Sequence, residues 1–130
     1  MKNLTNKNSK TVLWVENNSN LVQEINEADF NSGYKIIIFN NETAALAEVL
    51  KVNPDIIVWS INFSQEDIFE NLKKLGEKIK MGQISLVITS AFKKNERLEA
   101  EFKNKLGHYF ENCVFENCDI NKIVERIKTL

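Results

Sequence analysis

The strongest constraint on this chain is a pattern that recurs five times. A short run of β-favouring apolar residues is followed by a segment whose apolar residues return every three or four positions. Thr11-Val12-Leu13-Trp14-Val15 is the first such run and Tyr34-Lys35-Ile36-Ile37-Ile38-Phe39 the second. Asp55 to Asn62, behind Asn53-Pro54, is the third; Ile84 to Ser90 is the fourth; Cys113-Val114-Phe115 is the core of the fifth. The intervening segments carry Leu21, Val22, Ile25 and Phe30, then Ala45, Leu46, Val49 and Leu50, then Ile68, Phe69, Leu72, Leu75 and Ile79. The fourth helix, from Phe92 to Leu106, turns Leu98, Phe102 and Leu106 inward, and the last carries Ile120, Ile123, Val124 and Ile127. Ser19 or Asn20, Ser64 and Asp119 stand where N-caps are needed, and Gly33, Gly82 and Gly107 close segments. Pro54 sits at the strand start, where a missing N–H is tolerated. Strict strand–helix alternation predicts an α/β fold with a parallel sheet and helices on both faces. Five strands in one domain fit the flavodoxin-like, doubly wound order 2-1-3-4-5.

At 130 residues the chain suits one domain with one core. The expected domain is 10–130, behind a polar, disordered lead-in at 1–9 with no hydrophobic region of the secretory kind. The net charge of −1 provides no basic field for nucleic acid. No apolar run reaches the roughly 20 residues that span a bilayer. The two cysteines, Cys113 and Cys118, are too few for a disulfide framework. A reduced, cytoplasmic protein with no nucleic-acid or membrane partner is the expectation.

The third strand ends in Ser60, and the carboxyl ends of central strands are where open α/β sheets bind ligands. Trp59 and Ile61 flank that serine, so it lacks the glycine elbow of a hydrolase nucleophile. His108, Cys113 and Cys118 are spaced unlike any short zinc knuckle and lack a fourth ligand. The turn Glu16-Asn17-Asn18-Ser19-Asn20 has no glycine with which to cradle a flavin phosphate. No cofactor, metal or catalytic set is expected, and the chain reads as a non-enzyme.

Three stretches resemble a response-regulator receiver (CheY-like) domain: Lys10-Thr11-Val12-Leu13-Trp14-Val15-Glu16-Asn17, Asn53-Pro54-Asp55-Ile56-Ile57-Val58-Trp59-Ser60, and Leu86-Val87-Ile88-Thr89-Ser90-Ala91, with Asp119 opening the last helix. The resemblance covers about residues 10 to 130. Active receivers place two acids after strand one, a phosphoacceptor aspartate after strand three, a hydroxyl after strand four and a lysine after strand five. The acids hold Mg²⁺, which neutralises the phosphoryl oxygens during attack, and the lysine contacts the added group.

The resemblance maps these positions onto Glu16, Asn17, Ser60, Asn62, Ser90 (or Thr89, if the register shifts by one) and Glu116. Asn117 takes the proline position and Cys113 that of the switch aromatic. Second acid, phosphoacceptor and lysine are all missing, and 107–121 contains no lysine at all. The resemblance therefore implies a degenerate pseudo-receiver, a bacterial two-component signalling module that is not phosphorylated and works by protein–protein interaction. Phe92, Phe102, Tyr109, Phe110, Cys113 and Phe115 gather around helix four and strand five, the usual partner or dimer face of receivers, and form the candidate surface. The alternative is a ligand sensor binding a small molecule at the strand C-terminal edge, near Glu16, Ser60 and Ser90.

Overall fold

The computed structural model describes residues 10–27, 33–60, 65–79, 84–90, 96–107, 109–110 and 112–130; for 65–69, 78–79 and 98 it describes the backbone alone. The expected lead-in at 1–9 lies outside the described residues. Five strands alternate with five helices: β1 (Lys10–Val15), α1 (Ser19–Glu27), β2 (Tyr34–Phe39), α2 (Glu42–Val52), β3 (Ile56–Ser60), α3 (Gln65–Ile79), β4 (Ser85–Ser90), α4 (Glu96–Leu106), β5 (Asn112–Asn117) and α5 (Ile120–Lys128). The sheet order is β2-β1-β3-β4-β5, every neighbouring pair parallel, as the alternation predicts.

Parallel strands covered on both faces read as unbroken apolar runs, and the central ones here are buried along almost their whole length. Side-chain alternation divides the core in two. Leu13, Val15, Ile57, Trp59, Leu86 and Ile88 pack with residues of α2, α3 and α4 on one face. Val12, Trp14, Ile56, Val58 and Val87 pack with Leu21 and Ile25 of α1 and Ile123 and Ile127 of α5 on the other. The two tryptophans are thus buried on opposite faces of adjacent strands.

Local chemistry sets the element ends. Asn18, not Ser19 or Asn20, caps α1: its Oδ1 accepts from the N–H groups of Asn20 (3.0 Å) and Leu21 (3.2 Å). It stands one residue before the first helical turn, the position from which a short carboxamide reaches the second and third amides. Asn41 caps α2 by accepting from Ala44 N–H at 2.7 Å, and Asn53 closes it in the left-handed region, φ 51°. Asp119 caps α5 as expected, accepting from Asn121 N–H at 2.9 Å. At the far end of the sheet, Asp55 Oδ2 accepts Thr11 N–H at 2.8 Å and ties β1 to the entry of β3. The strand expected around 113–115 runs on to Asn117, which brings Glu116 into the sheet.

Candidate functional site

The register of the sheet assembles the candidate site at its carboxyl edge. Val15 pairs with Trp59, so Glu16, whose N–H continues the ladder to Phe39 O at 3.0 Å, stands level with Ser60. Ser60 pairs with Thr89, and Thr89 with Glu116. Alternation puts all four on the α1/α5 face: Glu16 follows Val12 and Trp14, Ser60 follows Val58, Thr89 follows Val87 and Glu116 follows Val114. Strands about 4.8 Å apart make this a row of carboxylate, hydroxyl, hydroxyl and carboxylate.

This register decides between the two hydroxyls left open by the sequence. Ser90 pairs with Asn117 and shares its face with Leu86 and Ile88, so it is turned away from Ser60. Its backbone carbonyl accepts the Cys118 N–H at 2.9 Å. Thr89 is therefore the hydroxyl beside Ser60.

Glu16, Ser60 and Thr89 have no solvent-exposed surface. Glu16 Oε2 accepts the Asn18 N–H at 3.0 Å, at the start of α1, where the helix dipole favours a negative charge. The Asn17 side chain is exposed and does not share this enclosure. Glu116 uses both oxygens: Oε1 accepts from Arg126 Nε of α5 at 3.2 Å and Oε2 from the Asn117 N–H at 3.1 Å. The guanidinium held at the strand-five position thus comes from a helix and is committed to a carboxylate. A shallow cavity of about 330 Å³ lies beside this pair, lined by Glu116, Lys122, Glu125, Arg126 and Thr129. The edge is acidic: the Cys118 thiol is pushed up from its ordinary value of 9.0 by burial first, then by Glu16, Glu24 and Asp119.

A receiver's Mg²⁺ does not fit these residues. That ion needs a near-octahedral oxygen shell with several waters. Here one carboxylate stands at the centre, one of its oxygens already accepts an amide, and the enclosure admits no solvent. Among the described residues no group of three or more His, Cys, Asp and Glu could hold a metal ion.

The aromatic surface expected from the sequence is corrected by burial. Phe102, Phe110 and Phe115 belong to the core; Phe102 and Phe115 meet edge to face, with centroids 5.2 Å apart. These positions face the sheet because α4 packs its apolar stripe on β5, and an edge-to-face pair needs both rings inside. Tyr109 and Cys113 are half-buried against the same cluster. Asn62, Phe92 and His108 lie outside the described residues. Most of what α4 exposes is charged: Glu96, Arg97, Glu101, Lys103 and Lys105, beside Ala100 and Asn104.

Sequence reasoning missed a second constellation behind the row. Glu42, in the first turn of α2, accepts from Trp59 Nε1 at 3.0 Å and Asn71 Nδ2 at 2.9 Å. It joins α2, the end of β3 and α3. The only signal available in sequence was the general need of a buried indole for an acceptor.

No protein-family profile matches the chain. Among curated proteins, reticulocyte-binding protein 1 of Plasmodium vivax (strain Belem) is 35% identical over 65 residues, which is 49% of this chain and 2% of that protein. The chain thus spans a fiftieth of that relative, a match that assigns no family or activity. Solved structures are alike in fold. Vibrio cholerae chemotaxis protein CheY4 superposes with a TM-score of 0.74 at 15% identity, covering 93% of this chain and 98% of that one. A response regulator from Thermotoga maritima gives 0.68 at 17%, covering 93% and 96%. The phosphorylated cyanobacterial phytochrome response regulator RcpA gives 0.65 at 19%, covering 93% and 90%. The chain has the CheY-like receiver fold.

Proposed function

We propose that this chain is a receiver-like signalling module that has no aspartyl-phosphate switch and acts by presenting a fixed surface to a protein partner. One observation carries the reading: the carboxyl-edge row is Glu16–Ser60–Thr89–Glu116. A serine cannot form an acyl phosphate, and Glu116 holds the neighbouring guanidinium where a receiver's free lysine would meet a phosphoryl group. The module is not an enzyme and needs no cofactor. Its partner face is α4, β5 and α5, and with Phe102, Phe110 and Phe115 buried that face is recognised through charge. A cytoplasmic setting suits such a role, and no helix among the described residues is long and apolar enough to cross a membrane.

The test is incubation with acetyl phosphate, and separately beryllofluoride, in the presence of Mg²⁺. Unchanged mass and unchanged amide shifts around Ser60, Thr89 and Glu116 are expected. Covalent phosphorylation, or large shifts along that row, would overturn the reading. The ligand-sensor alternative requires an open strand edge, and burial of Glu16, Ser60 and Thr89 counts against it. A thermal-shift screen of nucleotides and small anions separates the two.

A further inference from the structure

We draw no further inference here: the strongest candidate, the shallow cavity between the Glu116–Arg126 pair and Lys122, Glu125 and Thr129 of α5, belongs to the partner face already proposed, and nothing in the structure shows what fills it.

Discussion

Gly76 shows how one missing atom fixes a contact. A Cβ built there would run into Tyr109 Cβ and lie 2.6 Å from its Cγ. Those atoms are the root of the tyrosine side chain, so rotation about χ1 cannot clear them all, and the backbone of α3 or of the segment before β5 must move. Gly76→Ala gains helix propensity worth about 1 kcal/mol but meets overpacking of about 1–3 kcal/mol, so a net loss of stability is expected. Urea denaturation measures it; a variant more stable than wild type would show that the segment yields freely. Cys113 makes a second prediction. Burial pushes its thiol up from 9.0 to about 11, with Lys103 opposing and Glu99 adding. The folded state prefers the neutral thiol, so the unfolded chain ionises first. Stability from this group is whole below pH 9.0 and is lost as pH rises to about 11. Cys118 shifts in the same direction. The unfolding midpoint should therefore fall across that alkaline window, and Cys113→Ala should flatten the fall.

At the scale of elements, the Glu42 bridge is the tie with most to lose. Trp59 is fully buried, and its indole N–H has Glu42 as its acceptor. Removing that acceptor leaves a buried donor unsatisfied, a cost of about 1–3 kcal/mol. Glu42→Ala also removes the Asn71 hydrogen bond that links α2 to α3. A loss in that range is expected, together with a changed Trp59 emission; emission unchanged from wild type would show that the bridge does not hold the ring. Glu42→Gln, which keeps an acceptor, should recover part of the loss. The caps differ from this bridge in kind. Asp119 holds α5 through its own Oδ1 and the amides of Asn121 and Lys122, so Asp119→Ala should cost about 1 kcal/mol and loosen α5 alone. Hydrogen exchange resolved by residue separates a local from a global effect.

Over the whole molecule, the strands were legible because a parallel sheet buried on both faces leaves apolar runs that no helix pattern imitates. Edges were less so. β5 was readable only at 113–115, because Asn112, Glu116 and Asn117 look like loop residues until the sheet pairs them with Ser85, Thr89 and Ser90. The row Glu16–Ser60–Thr89–Glu116 was half legible: its members stood out by type, but the choice of Thr89 over Ser90 needed strand register. The aromatic face misled because Phe102 and Phe115, far apart in sequence, are each other's packing partners. Gly76 against Tyr109 is purely tertiary and had no sequence signal, and for Glu42 against Trp59 the sequence offered only the indole's need of some acceptor.

The row also predicts what restoring one residue would do. Ser60→Asp places a second carboxylate in an enclosure without solvent, level with buried Glu16 and beside Thr89. Arg126 of α5 is already bonded to Glu116. Burying an unpaired charge beside another of like sign costs about 3 kcal/mol or drives protonation, and a protonated aspartate is a poor nucleophile. Ser60→Asp alone should therefore be less stable than wild type and remain unmodified by acetyl phosphate. Adding Glu116→Lys supplies a strand-borne cation on the same face of the sheet, paired in register with Thr89. The double variant Ser60→Asp/Glu116→Lys should show a Mg²⁺-dependent mass increase that Ser60→Asp lacks, but no gain in stability, because the lysine removes the carboxylate that Arg126 is bonded to. If Ser60→Asp alone were phosphorylated at that aspartate, the serine would be the sole defect, and the charge pattern of the row would not be what keeps this edge silent.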